Sequence, residues 1–308
     1  MSKIIKKLPI PIVGLMLALG ATGNLVLSYG NTYRNIFGSL SAIILLLVLI
    51  KIILHPKEVV NSLDNPVVAS VFPTLSMGIM LLATYIKPLA GSLAFVIWII
   101  GIILHCILII YFTKLHVLKF NIKKVFPSWF IVYVGIVVGS VSAPAFAMES
   151  VGKILFMFGL LSYFILMPIV IKRVFKVGEI PEPALPTLAV FTAPGSLCLA
   201  GYMSSFQDKN LLLVYLLLVL SQLAFLYVLV KLPSLLKLKF YPSYSGFTFP
   251  IVITGISLKL TNGYLTNIGK PIASLKYLVK FEELLAVGIV LYVLIRYIGF
   301  LFSQADSK

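Results

Sequence analysis

The 308 residues are 60% hydrophobic and only 11% charged, with a mean hydropathy of +1.10 and a net charge of +16. A soluble globular domain is roughly half apolar and about one quarter charged, so a water-soluble fold could not cover this much apolar surface and a soluble enzyme is excluded. The apolar residues instead come in blocks of roughly 18 to 26, the length a helix needs to cross about 30 Å of hydrocarbon.

In chain order, Lys3, Lys6 and Lys7 precede a first apolar run over 8–29. That run is too long for the core of a signal peptide and no small-residue cleavage site follows it, so it reads as an uncleaved first span. The second span covers 35–54, with Lys51 near its end extending toward the headgroups. Charge-free runs over 65–86, 88–113, 125–148, 154–171, 183–207, 210–230 and 240–258 give the third to the ninth. The tenth covers 284–302 and contains Arg296, while Lys276, Lys280, Glu282 and Glu283 read as an exposed helical extension before it. The expected fold is therefore an all-α integral membrane protein, with ten transmembrane helices in a single domain spanning 1–308.

Lys and Arg are retained on the cytoplasmic side of a membrane. With ten spans, 17 of the 25 basic residues fall on the side of the two termini, from Lys6 and Lys7 through Lys123, Lys124 and Arg173 to Arg296 and Lys308. Both termini are expected to be cytoplasmic, in a multi-pass protein of the plasma membrane. The positive charge then reflects topology and anionic lipid rather than nucleic-acid binding. The two cysteines, Cys106 and Cys198, lie inside expected spans without metal-ligand spacing and read as packing residues.

The odd-numbered spans begin near Pro9, Val68, Ser128, Thr187 and Ser245, at intervals of about 59 residues, which suggests five copies of a two-helix unit. Odd spans carry small polar or helix-disrupting residues at their middles: Gly14, Gly20 and Gly23; Pro73, Thr74, Ser76 and Gly78; Gly135, Gly139, Ser140, Ser142 and Pro144; Thr192, Pro194, Gly195 and Ser196; Thr248, Pro250, Thr254, Gly255 and Ser257. Even spans are mostly Leu, Ile, Val and Phe. A proline within a helix leaves a carbonyl unpartnered, which in hydrocarbon costs several kcal/mol, so such sites belong against protein or water. Five bent inner helices around a central passage, inside five smooth outer ones, satisfy this requirement. Close packing through small residues is the simpler explanation of any one of these positions, but it does not confine the pattern to alternate spans.

Several stretches resemble the family of the bacterial tellurite-resistance protein TehA, the related C4-dicarboxylate and sulfite carriers and the plant guard-cell slow anion channels. They are Pro11-Ile12-Val13-Gly14 with Leu17 and Leu19, Pro127-Ser128-Trp129-Phe130, Ala193-Pro194 and Gly246-Phe247-Thr248-Phe249-Pro250, in that order over nearly the whole chain. The resemblance implies a homotrimer in which each subunit has its own pore, five inner helices inside five outer ones, and a phenylalanine of the ninth span that plugs the pore. The matching residue here is Phe249; Phe247 points about 200° away by helical periodicity. Met16 stands where relatives often have a kink-forming proline, which leaves the bend of the first helix open.

No formal charge lies at the middle of an odd span, and a wall of hydroxyls, kink-freed amides and aromatic rings suits weak binding and rapid passage of small inorganic or organic anions. Arg34, Lys87, Lys153, Lys209 and Lys270 on the outer side favour anions there. Lys259 reads either as a snorkelling interfacial residue or as an anion-attracting site at the mouth. His105 and His116 are isolated from any ligand set, no catalytic or phosphate-loop motif is present, and neither a cofactor nor a metal is expected. The expected function is an anion-selective channel. A coupled or facilitative carrier for C4-dicarboxylate, sulfite or tellurite-related anions is the alternative, and a membrane enzyme or assembly factor lacks the clustered acids and histidines it would need.

Overall fold

The computed structural model describes residues 2–303, all of whose regular elements are helical; Lys308, counted above among the basic residues, lies outside them. Helix α1 (Ser2–Lys7) stops before Pro9 and Pro11, and α2 (Ile12–Leu25) follows. It is one uninterrupted helix through Met16. A 3-10 turn over Leu27–Tyr29 ends at Gly30, whose φ of 131° suits only glycine, and α3 (Asn31–Leu54) and the short α4 (Pro56–Ser62) come next. Asn65 caps α5 (Pro66–Val71) by accepting from Val67 and Val68 N–H at 2.9 and 3.3 Å. Pro73, with no N–H to give, separates α5 from α6 (Thr74–Ile86).

Helix α7 (Gly91–Phe112) runs on through a π-turn at Thr113–Val117. The next buried segment comes in three pieces, α8 (Trp129–Val134), α9 (Val137–Ser142) and a 3-10 turn Ala143–Phe146 that Ala147 closes with φ 53°. Helix α10 (Glu149–Ile171) is followed by a 3-10 stretch over Glu182–Thr192, where Pro183 and Pro186 remove ladder donors, and by α11 (Ala193–Ser205). Helix α12 (Leu211–Leu235), a 3-10 turn Pro242–Phe247, α13 (Thr248–Asn267) and α14 (Leu275–Phe302) complete the chain.

Two kinds of segment alternate. The long helices α3, α7, α10, α12 and α14 keep an apolar face exposed, including Leu46 and Ile53, Ile107 and Ile110, Ile154 and Leu161, Leu212 and Leu223, and Leu284 and Ile295. A contiguous apolar surface of this extent belongs against lipid. The interrupted segments between them are buried: 94% of an 18-residue apolar window within Glu182–Ser205 lies inside the protein, against 28% of the corresponding window within Leu275–Phe302.

Among the described residues, seven helices are long and apolar enough to cross a membrane. The first, fifth and ninth expected spans are not among them, for physical reasons. Pro9 and Pro11 before it and the 3-10 turn Leu27–Tyr29 after it confine α2 to 14 residues, Gly135 and the turn at Pro144 divide the fifth, and Thr, Ser, Asn and Lys lower the hydropathy of α13.

The stretch before the tenth span departs from expectation. Residues 275–283 are the first turns of α14; Lys276 and Lys280 are exposed as expected, but Glu282 and Glu283 are buried. The helical period puts Glu282 on the same stripe as Leu275, Ala286, Ile289 and Val293, the face packed into the protein.

Candidate functional site

Hydrogen bonds join each buried segment to the next. Tyr85 on α6 donates to the Gly20 carbonyl of α2 at 2.6 Å, and Ser70 shares a 2.6 Å bond with Ser128. Ser205 on α11 donates to the Ser140 carbonyl of α9 at 2.7 Å, and Ser196 on α11 to Thr254 on α13 at 3.1 Å. Lys259 on α13 returns to α2 through the Leu25 carbonyl at 2.8 Å.

Inside this circuit every buried segment contributes to one cavity of 20 Å³. Its wall includes Gly14 from α2, Val71 and Thr74 at the α5–α6 break, Phe130 and Gly135, Pro194 and Leu197, and Ser245, Phe249 and Pro250. That volume is room for about one water molecule. Gly14 is needed there because a Cβ would stand 3.0 Å from that of Ser245. A wider cavity of 460 Å³ is lined by the residues that precede these on the same segments, among them Pro9, Asn65, Phe126, Pro183 and Tyr241. A third, of 330 Å³, lies toward the other end of α11 and α13, bordered by Met203, Lys209, Lys259 and Tyr264.

Of the residues singled out from the sequence, Gly14, Thr74, Pro194, Phe249 and Pro250 meet at the central cavity. Phe247 is fully buried against Tyr244, ring centroids 4.9 Å apart, and is absent from the wall, as the periodicity required. Pro73 is buried at the α5–α6 break. Ser140, Thr192, Thr248 and Thr254 are buried outside the wall, and Pro144 is exposed in the closing turn of its segment, which it ends rather than bends.

The hydroxyls do not form the donor-rich wall expected. Thr74 donates to the Val71 carbonyl at 2.8 Å, Thr192 to Ala189 at 3.2 Å, Thr248 to Ser245 at 2.7 Å and Thr254 to Pro250 at 2.8 Å. Each proton is spent three or four residues back on a carbonyl of its own segment, the usual local bond of Ser and Thr in helices. Ser245 Oγ differs from these: it is buried in the cavity wall with no partner in hydrogen-bonding geometry among the described residues, the Tyr297 hydroxyl being its polar neighbour. The sequence offers nothing to set it apart from the other serines of the odd spans.

The cations at the far end are not bare. Lys259 Nζ donates to Glu283 Oε1 at 2.9 Å, to the Leu25 carbonyl at 2.8 Å and to Ser28 Oγ at 2.8 Å, which uses all three of its protons. Lys209, in the loop before α12, donates to the Phe206 carbonyl at 2.5 Å and stands 5.1 Å from the Tyr264 ring. Burial lowers its pKa from the ordinary lysine value, and neighbouring Asp208 partly offsets this.

The histidines hold structure together. His105 Nδ1 is 2.8 Å from Ser76 Oγ and Nε2 is 3.1 Å from the Val132 carbonyl; His116 Nε2 is 3.0 Å from the Leu63 carbonyl. Cys198 is buried whereas Cys106 is exposed on α7. Among the described residues no three His, Cys, Asp or Glu side chains gather as metal ligands.

Several apolar helices sheathing buried, interrupted segments around a narrow cavity define a multi-pass membrane protein. The profile of the SLAC1 family, described as voltage-dependent anion channels, matches residues 7–298, and the chain belongs to that family of anion channels and transporters, which includes the TehA-like proteins and the guard-cell slow anion channels. No curated protein sequence matches the chain significantly.

Proposed function

We propose that the protein conducts small anions passively along the axis of its buried segments, past a constriction that Phe249 occludes. In this reading the chain crosses the plasma membrane ten times as five helix pairs, with both termini cytoplasmic; the interrupted segments are the wall and α3, α7, α10, α12 and α14 the sheath. A homotrimer with one pore per subunit is the assembly the family resemblance implies.

The observation that carries the proposal is the meeting of all five buried segments at a 20 Å³ cavity with Phe249 in its wall, in register with the 460 Å³ cavity before it. A space for about one water cannot hold a hydrated anion, and an apolar constriction resists wetting, so the conformation described is a closed one. Displacing the Phe249 ring widens the constriction toward a path. Along it Ser245 is the hydroxyl free to face a passing anion, and the sparse polarity keeps binding weak enough for release.

Ion-substitution reversal potentials of the purified protein in planar bilayers test the proposal. Currents that reverse at the anion equilibrium potential are expected, and a reversal potential indifferent to the anion gradient contradicts it. The second reading, a proton-coupled carrier for C4-dicarboxylate, sulfite or tellurite-related anions, draws support from Glu282, an acid buried within a membrane-spanning helix. Saturable uptake that stops when the proton gradient collapses favours the carrier, and ohmic current the channel.

A further inference from the structure

Glu282 lies on α14 against α13, the helix that carries Phe249. It is fully buried, and neither carboxylate oxygen has a hydrogen-bond partner among the described residues. Gln222 of α12 approaches it, but the amide nitrogen, also buried, stays outside hydrogen-bonding geometry. Opposite stands Gly255 of α13, where a Cβ would lie 3.7 Å from that of Glu282 and 3.6 Å from Leu25 of α2.

Its neighbour Glu283 shows what an ionised carboxylate needs in such a place. Glu283 takes Lys259 at 2.9 Å and the Tyr29 hydroxyl at 2.7 Å. Glu282 has neither, and the surrounding charges are already committed. On α13, Lys259 spends its three protons on Glu283, Leu25 and Ser28. On α14 itself, Lys280 donates to Tyr29 at 2.6 Å. Helix α12 has no charged residue over 211–230, only the phenols Tyr215 and Tyr227, and α2 has no titratable side chain at all. A carboxylate shut away from water without donors is strongly disfavoured, and such a group neutralises itself by keeping its proton.

We propose that Glu282 is a proton-binding site in the seam between α12, α13 and α14, and that loss of its proton repositions α13 and increases conduction past Phe249. With the proton on, the carboxyl is uncharged and the seam closes as described. With the proton off, the charge must recruit the Gln222 amide, water or Lys259, and the seam in which Gly255 of α13 faces Glu282 gives way to admit them. Flux therefore rises as pH rises. The effect on conduction rests on the reading of Phe249 as the occluding residue; the proton site does not.

Two measurements on the full chain in lipid test this. Infrared spectroscopy at neutral pH should show the C=O stretch of a protonated carboxylic acid, and Glu282→Gln should remove it. Anion flux of the parent should rise at least about threefold between about pH 6 and about pH 9, while Glu282→Gln, uncharged at any pH, should hold the low-pH flux throughout. Absence of the band from the parent, or its persistence in Glu282→Gln, overturns the proton site. A band lost with the pH dependence intact overturns the link to α13. Should no condition give anion flux, the proposed function fails while the infrared result still decides the site. If Glu282→Gln does not fold, Gln222→Leu leaves the acid in place without its polar neighbour and should shift the band; an unmoved band contradicts the site.

Discussion

The ammonium of Lys259 rests 2.9 Å from the carboxylate of Glu283 and spends its remaining protons on the Leu25 carbonyl and Ser28 hydroxyl, so one side chain ties α13 to α14 and to the end of α2. Removing it leaves Glu283, 5% exposed, without its cation.

Lys259→Met should lower the stability of the purified protein by about 1–3 kcal/mol, below the range for a fully buried pair because Lys259 is one-third exposed and partly screened. Thermal unfolding in detergent reads this as a lower Tm. A Lys259→Met, Glu283→Gln double variant, which removes both charges of the pair together, should leave the ionic-strength dependence of anion flux unchanged.

The contrast between spent and free hydroxyls gives a second prediction. In a Phe249→Ala background, Ser245→Ala should reduce anion flux about tenfold, the loss of one hydrogen bond to a charged ligand, and Thr254→Val should change it by less than about twofold. Thr254 already gives its proton to Pro250 at 2.8 Å. Equal effects in liposome flux assays would contradict the assignment of Ser245.

Gly159 on α10 allows the sheath to touch the wall, since a side chain there would overlap Val137 of α9. Gly159→Leu should cost about 1–3 kcal/mol through overpacking. Gly288→Leu, at an exposed position of α14 with nothing within 4 Å, should stay within about 0.5 kcal/mol of the parent. Thermal unfolding of the two variants side by side checks both.

Much of this architecture was legible because membrane helices declare themselves. The run over 211–230 admits no other fold, and the recurring Gly, Pro, Ser and Thr marked the interrupted segments about 59 residues apart. The central cavity was legible only through Gly14, Thr74, Pro194, Phe249 and Pro250. Ser140, Thr192, Thr248 and Thr254 have the same composition signal, but whether a hydroxyl faces a cavity or its own backbone depends on the carbonyl three or four residues back, which composition does not encode. Pro144 looked like a kink because its segment seemed continuous, whereas Ala147 closes the turn just after it. The charged cluster Lys276, Lys280, Glu282 and Glu283 points to an exposed extension, and only the register of α14 turns Glu282 inward.

The central claim is that Phe249 blocks an anion path lined by the five buried segments. Its most direct test is anion flux through parent and Phe249→Ala protein, reconstituted at equal density in liposomes. Removal of the ring should raise flux about tenfold or more, with anions still favoured over cations. Flux in Phe249→Ala equal to that of a poorly conducting parent would contradict the account.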